Sequence, residues 1–228
     1  MLDREQTAIA REALQLLASK CPRLAGMCYW AGTAAVAIEE LHHRQSFDLD
    51  FHTRKALENT TPILTEIRVA FGDAFEVIRV PDEFGSGFQG TLRLPGGRQI
   101  AVEVLSNYED VSEDELVDCS STPNLKRVTL SRYLADKIQC VAERAEARDL
   151  VDIRAVLRHQ PAMEQQARRV LAEQDALLLT ERLLAWSDEE IRQDLEAYED
   201  VDPRDAQKAR DLLLEWVKDL AHADEENR

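Results

Sequence analysis

The segment AGTAAVAIEELHHRQSFDLDF at positions 31–51 constrains the fold more than any other part of the chain. Its last five residues alternate between apolar and acidic side chains, and this period of two predicts a half-buried strand. Such a strand buries its three apolar side chains, those of Phe47, Leu49 and Phe51. It leaves Asp48 and Asp50 together on the other face. The fold therefore needs a sheet with one accessible face.

Two carboxylates on one face of a strand repel each other unless a cation lies between them. Asp48 and Asp50 therefore indicate a Mg²⁺ site of the kind that nucleotide chemistry requires, the alternative being a solvated surface strand. Upstream, Gly32 and Thr33 begin a predicted helix, where backbone N–H groups and a hydroxyl can meet a phosphate. The context of the two aspartates thus favours the metal site.

A third acidic residue interrupts a later apolar run. Glu103 lies within residues 100–105, IAVEVL, and a buried charge without a partner is costly. Two interpretations remain open for it. It completes a three-carboxylate, two-metal arrangement with Asp48 and Asp50, or it forms a salt bridge with a nearby arginine.

The composition excludes several function classes. The formal net charge is −16 and the pI is about 4.8, which opposes nonspecific binding to nucleic acid or to an anionic membrane. The chain lacks the run of ~18 apolar residues that a membrane span needs, and its start does not have the pattern of a signal peptide. Its cysteines are scattered without a CxxC motif, and His42-His43 is the sole histidine cluster. We therefore expect a cytoplasmic protein with reduced thiols and no zinc.

Hydrophobic periodicity predicts mixed helices and strands in the first half of the chain and helices alone in the second half. Helices are predicted over residues 3–19, 33–43 and 54–71, and strands over 27–30, 47–52, 75–80, 88–94 and 99–105. Residues 107–118 are strongly acidic and predict an exposed connection or a solvated helix start. Helices follow over 129–143 and 148–159, with three or four more within 163–222. We therefore predict an α+β fold with an α/β lobe over 1–110, a helical lobe over 111–228, and a ligand cleft between them.

Two blocks of the sequence resemble the AbiEii/AbiGii-type nucleotidyltransferase toxins, which share the nucleotidyltransferase fold of DNA polymerase beta. The first block combines AGTAA at 31–35 with HRQSFDLDF at 43–51. The second combines Lys137 with RDLVD at 148–152. The resemblance extends from residue 24 to about residue 158 and implies a mixed sheet with flanking helices, followed by an all-helical lobe.

The resemblance also implies a function. Members move NMP from an NTP to a hydroxyl group of RNA, particularly a tRNA end, or of a protein, with Mg²⁺ or Mn²⁺ as cofactor. They are the toxins of type IV toxin–antitoxin and phage-defence systems, which implies a cognate antitoxin as partner. The implied catalytic residues are Asp48, Asp50, Glu103, Lys137 and Asp152, of which the first three are the metal ligands. The implied nucleotide-binding residues are Gly32, Thr33, Arg44, Ser46, Lys137 and Arg148.

The second block also carries a charge pattern of its own. Residues 122–160 hold eight Lys/Arg against five Asp/Glu, which is locally basic in an acidic chain. If residues 133–152 form one helix, steps of three and four place Lys137, Arg144, Arg148 and Asp152 on one side, with Val141 between them. Such a face suits a triphosphate and its metals. The alternative is a helix face covered by salt bridges.

One departure from the family pattern motivates other functions. The first glycine of the family's GG pair is Ala31 here, and alanine resists a positive φ. If the turn requires that conformation, nucleotide binding weakens. Ala31 and the two open interpretations of Glu103 together support a second hypothesis. In it, the protein is a degenerate nucleotidyltransferase that binds a nucleotide or a partner without catalysis. A third hypothesis is an interaction protein that docks an antitoxin through helices around Trp186 and Trp216, the alternative for both being buried core.

Overall fold

The computed structural model describes residues 4–144 and 146–226, which form ten α-helices and seven strands. The helices are α1 Arg4–Lys20, α2 Pro22–Met27, α3 Gly32–Val36, α4 Thr61–Phe71, α5 Leu130–Glu143, α6 Ala147–His159, α7 Glu164–Ala172, α8 Ala176–Ala185, α9 Asp188–Asp194 and α10 Pro203–Glu226. The strands are β1 Cys28–Ala31, β2 Asp48–Ala56, β3 Phe75–Arg79, β4 Gly87–Arg93, β5 Gln99–Asn107, β6 Leu116–Asp118 and β7 Lys126–Val128. A π-helical turn at Ala37–Leu41 continues α3 directly.

The strands form one mixed sheet in the order β3-β4-β5-β2-β1-β7-β6. The β2–β5 and β1–β7 pairs are parallel, and the other neighbours are antiparallel. This confirms the predicted α+β class with a mixed sheet. Strand β2 lies at the centre of the sheet, so its side chains have neighbours on both sides.

One face of the sheet forms a hydrophobic core. Its fully buried side chains include Trp30, Leu49, Phe51, Phe88, Val102 and Val104. Helices α1, α2 and α4 pack against the sheet. Because side chains alternate along each strand, the acidic residues of β2 and β5 lie on the other face. The predicted burial of Phe47 is wrong, since its side chain is 54% exposed and β2 begins one residue later.

The chain divides into two compact units, the first extending to residue 129 and the second beginning at Leu130. The predicted boundary lay at residue 110, within what was expected to be an exposed connection. Residues 107–115 are mostly exposed, and they lead into β6, which pairs with β7 and adds to the sheet. The second unit is all-helical, as predicted, and Trp216 lies in its core whereas Trp186 is half-buried.

Two predicted helices differ from the structure. The helix predicted over 54–71 begins at Thr61, because β2 continues to Ala56 before the chain turns. Residues 133–152 do not form one helix, since α5 ends at Glu143 and α6 begins at Ala147. The predicted strands over 75–80, 88–94 and 99–105 are confirmed to within two residues. Across residues 4–144 and 146–226, no helix combines the length and apolar character that crossing a bilayer requires.

Candidate active site

Asp48 and Asp50 lie on the accessible face of β2, where each is half-buried. Leu49 and Phe51 point to the opposite face and are fully buried, so they fix the direction of both carboxylates. The Ser46 hydroxyl donates a hydrogen bond of 2.8 Å to Oδ1 of Asp48. The structure therefore brings the two predicted metal ligands and one predicted nucleotide-binding residue together.

The backbone of Gly32 lies directly against the carboxylate of Asp50. A Cβ placed on Gly32 would collide with Oδ2 of Asp50 and would stand 3.0 Å from its Cγ. Gly32 also has a φ of +68°, which L-residues rarely adopt. Both observations make glycine necessary at this position.

Ala31, in contrast, needs no glycine. Its φ is −106° and its ψ is −169°, which is extended backbone that alanine adopts freely. The expected strain at Ala31 is therefore absent. The positive φ of this turn falls on Gly32, which the chain retains.

Arg44 supports the turn from inside the protein. It is only 4% exposed, and its Nη2 donates a hydrogen bond of 2.8 Å to Oγ1 of Thr33. Its Nη1 donates to the backbone oxygen of Gln45 at 3.2 Å. A buried guanidinium with these partners fixes the orientation of the Thr33 side chain.

Glu103 lies beside the aspartates but is turned toward another residue. It is the register partner of Asp50 in the parallel β2–β5 pair. Its Oε1 accepts a hydrogen bond of 2.7 Å from Nη2 of Arg79, which lies on β3. Of the two interpretations of Glu103, the structure contains the salt bridge.

The predicted site of three carboxylate ligands is therefore not assembled. Within the described part of the chain, no group of three His, Cys, Asp or Glu side chains stands ready to hold a metal ion. Asp48 and Asp50 still suit Mg²⁺, because that ion commonly takes one or two protein carboxylates and completes its octahedron with water and substrate phosphates. Oε1 of Glu103 is bonded to Arg79 in this structure, so Glu103 does not complete a carboxylate triad with them.

The helical unit contains a second charged cluster. Nζ of Lys137 lies 2.8 Å from Oδ1 of Asp149 and 2.9 Å from Oδ2 of Asp152. Both aspartates are fully buried, and Arg144 binds Asp149 through Nε at 3.0 Å. Burial opposes the charge of Arg144, but the hydrogen bond and the charge of Asp149 outweigh it and raise the pKa of that guanidinium. One buried cation, Lys137, and one exposed cation, Arg144, thus balance the two buried carboxylates.

Arg148 does not belong to this cluster. Its Nε lies 2.7 Å from Oε2 of Glu146, and its Nη1 donates to the Tyr198 hydroxyl at 3.1 Å. The prediction that Arg148 and Lys137 lie on one side of the same helix is wrong, because the chain leaves helical conformation between α5 and α6. The break allows α6 to fold back on α5, which is how Lys137 and Asp152 meet.

Three charged residues with defined partners were not predicted as site residues. Asp149 had a signal, because it precedes Asp152 by three residues and such residues share a helix face. Arg144 was noted only as part of a helix face. Arg79 had no local signal, since its role depends on the pairing of β3 with β4 and of β4 with β5.

The short strands β6 and β7 hold the helix that follows Gly32. The carboxylate of Glu39, in the π-helical turn, accepts a hydrogen bond of 2.7 Å from the backbone N–H of Ser120, and Glu40 lies 2.8 Å from Arg127 on β7. Burial opposes the charge of Glu39, but hydrogen bonds from Ser120 and Ser121 prevail and lower its pKa. This part of the site thus depends on contacts distant in sequence.

The fold defined by this sheet is that of solved nucleotidyltransferases. MenT4, a nucleotidyltransferase toxin from Mycobacterium tuberculosis, superposes with a TM-score of 0.63 at 17% identity, covering 94% of this chain and 84% of that protein. JHP933 from Helicobacter pylori superposes with a TM-score of 0.57 at 16% identity, covering 98% and 97%. At these identities the comparison establishes the fold alone.

The sequence identifies the family. The model of the AbiEii nucleotidyl transferase toxins of type IV toxin–antitoxin systems matches residues 32–224, and the chain therefore belongs to this family. No curated protein matches the chain. The predicted family and the predicted enzyme class, a nucleotidyltransferase, are thereby confirmed.

Proposed function

We propose that this protein is a metal-dependent toxin that transfers NMP from an NTP to a hydroxyl group of RNA, at a tRNA end, or of a protein. One observation carries the proposal. The carboxylates of Asp48 and Asp50 lie on one face of β2, and the positive-φ backbone of Gly32 lies against the second of them. Because Gly32 has no side chain, its backbone and the Asp50 carboxylate lie together, and a phosphate bound at one of them would lie beside the other.

In this reaction the acceptor hydroxyl oxygen attacks the α-phosphorus of the NTP, and a new oxygen–phosphorus bond forms. The bond from the α-phosphorus to the bridging oxygen breaks, pyrophosphate leaves, and the hydroxyl proton passes to a carboxylate or to water. A divalent cation held by Asp48 and Asp50 would supply charge neutralisation at the phosphates. The protein's own contribution is then positioning and electrostatics.

We assign a separate role in phosphate binding or positioning to each of these residues of the first unit. Gly32 and the Thr33 hydroxyl would hold the β- and γ-phosphates, and Arg44 would keep Thr33 in place through their 2.8 Å bond. Ser46 would orient Asp48 through the hydrogen bond that it donates. Glu103 would serve near the attacking hydroxyl, since it lies opposite Asp50 in the sheet.

For the helical unit we propose a supporting role. Asp152, 2.9 Å from Nζ of Lys137, would hold this buried cation in place within the unit. Arg148 would stabilise the start of α6 through its bond to the Tyr198 hydroxyl. Family membership also suggests a cognate antitoxin as partner.

One incubation tests the proposal against its alternative. The purified protein is incubated with each labelled NTP, Mg²⁺ or Mn²⁺, and total tRNA, and the products are separated by size. We expect label in tRNA, or in the protein itself if the acceptor is a protein hydroxyl. No label with any NTP or metal would favour a nonenzymatic nucleotide-binding module, an alternative that the engagement of Glu103 by Arg79 favours.

A growth experiment tests the toxin role. Expression of the wild-type chain should arrest cell growth, whereas an equally abundant Asp50→Asn protein should not. Arrest by both proteins would show that toxicity does not depend on the proposed chemistry.

A further inference from the structure

We infer that Arg79 binds the terminal phosphate of a polynucleotide acceptor, so that this site is built for RNA rather than for a protein hydroxyl. The inference rests on the proposed nucleotidyl transfer and adds the class of acceptor. Four lines of observation support it.

The first is the position of Arg79 in the sheet. Arg79, Gln89, Glu103 and Asp50 are successive register partners on β3, β4, β5 and β2. Directly opposed residues share one face of a sheet, so these four form a row across the accessible face. With ~4.8 Å between strands, the backbone of Arg79 lies roughly 14 Å from that of Asp50. The side chain of Arg79 spans β4 to reach Glu103 at 2.7 Å.

The second is a β-bulge that places Arg79 on this face. Val77 pairs with Gly90, and Arg79 pairs with the adjacent Gln89, so Ile78 is an extra residue in β3. In a regular strand Ile78 would lie opposite Gln89 and Arg79 would point to the core face. Bulges frequently occur beside active sites, where they redirect a side chain. Because of this bulge, the guanidinium of Arg79 lies in the row, where a regular strand would place the side chain of Ile78.

The third is the exchangeability of the Arg79–Glu103 pair. The two side chains are 53% and 31% exposed, and partly exposed ion pairs of this kind contribute little to folding. A guanidinium in such a pair remains accessible to an incoming phosphate, to which it can donate two parallel hydrogen bonds. Release of Glu103 at the same moment would return that carboxylate to the side of the attacking hydroxyl.

The fourth is the chemistry of the acceptor. A polynucleotide carries a phosphodiester beside its terminal ribose hydroxyl, whereas a serine or threonine hydroxyl in a protein has no such neighbour. In a chain with a net charge of −16, an RNA must rely on local cations. Arg79 is such a cation, and it contacts Glu103, the carboxylate that we place near the attacking hydroxyl.

The test compares Arg79→Ala with Arg93→Ala. Arg93 is a matched control, because it lies on the neighbouring strand, is 54% exposed and pairs with Glu76, not with Glu103. Transfer from labelled NTP to total tRNA gives KM values for tRNA and for NTP. Anisotropy of a fluorescent single-stranded RNA with a free 3′ hydroxyl gives Kd at several salt concentrations, independently of catalysis.

We expect Arg79→Ala to raise the KM for tRNA and the Kd for RNA by about tenfold or more, as for a lost hydrogen bond to a charged group. The slope of the logarithm of the RNA association constant against the logarithm of the salt concentration should become shallower by about one. A purely structural role of Arg79 would not produce this change. The KM for NTP should stay unchanged, Arg79→Lys should restore part of the affinity, and Arg93→Ala should behave as wild type.

Several outcomes would overturn the inference. The first is that Arg79→Ala raises only the KM for NTP, and the second is that it leaves the salt dependence of RNA binding unchanged. The third is that Arg79→Ala and Arg93→Ala lose equal RNA affinity. The fourth is that the wild-type protein transfers NMP only to protein. Failure of the proposed function is a separate result, namely no transfer by the wild-type protein. The RNA-binding measurement would then still decide whether Arg79 binds a polynucleotide.

Discussion

The α-carbon of Gly32 faces the carboxylate of Asp50 with no room for a side chain between them. This contact joins two motifs that are separated in the sequence, the turn before α3 and the aspartate pair on β2.

Replacing Gly32 by alanine should abolish nucleotidyl transfer and destabilise the protein by about 1–3 kcal/mol, because the new methyl group meets Asp50 and the φ of +68° is strained. Urea unfolding and the labelled-NTP assay measure the two effects. Ala31→Gly is the matched control, since Ala31 is in extended conformation. It should retain transfer, and loss of transfer in this control would place the requirement in the turn as a whole.

Asp48→Asn and Asp50→Asn should each lower NMP transfer by ~10²-fold or more, the scale on which lost electrostatic stabilisation acts. Neither should lower the thermal midpoint, because removing one of two adjacent negative charges relieves repulsion. Asp73→Asn serves as control, since Asp73 is an exposed aspartate in the turn between α4 and β3 and not in β2. Full activity in the Asp50→Asn protein would refute the assignment of the site.

Lys137→Met should destabilise the protein by about 3–5 kcal/mol, because it leaves Asp152 and Asp149 in the interior without their shared cation. Chemical denaturation gives the free energy of unfolding. Lys55→Met removes an exposed partner of Asp110 and should leave that free energy nearly unchanged. Similar losses in both variants would show that the Lys137 cluster is not specially important to folding.

Burial raises the pKa of the Cys28 thiol from 9.0 to about 12. An unfolded chain ionises this thiol near pH 9 while the folded chain keeps it protonated. The corresponding stability is therefore complete below pH 9 and decreases as the pH rises toward 12. Above pH 9, the free energy of unfolding of the wild type should fall faster than that of Cys28→Ala, and the difference in slope should approach about 1.4 kcal/mol per pH unit near pH 10.5. Parallel pH profiles would contradict this expectation.

Much of the candidate site follows from local sequence. The alternation around Asp48 and Asp50 predicts their common face, because side chains in any strand alternate regardless of what the strand pairs with. The same reasoning places Glu103 on an open face, and helical periodicity predicts the all-helical character of the second unit. Residues 31–35 and 43–51 were sufficient to indicate the family that the comparison confirms.

Other features depend on which segments pair in space. The register that sets Glu103 opposite Asp50, and the bulge that turns Arg79 toward Glu103, arise from strand pairs rather than from any one strand. The strands β6 and β7 are only three residues long, too short for a periodic signal. They form because they pair with each other and because β7 also pairs with β1.

The sequence by itself determined the faces of the strands, the class of fold and the pair of aspartates, because each depends on spacing along a few residues. Only the tertiary structure decided that Glu103 bonds to Arg79 and that Lys137 is held by Asp149 and Asp152. The physical reason is that a charged side chain takes the partner that strand register and helix packing bring within hydrogen-bond distance, and no local pattern encodes that distance.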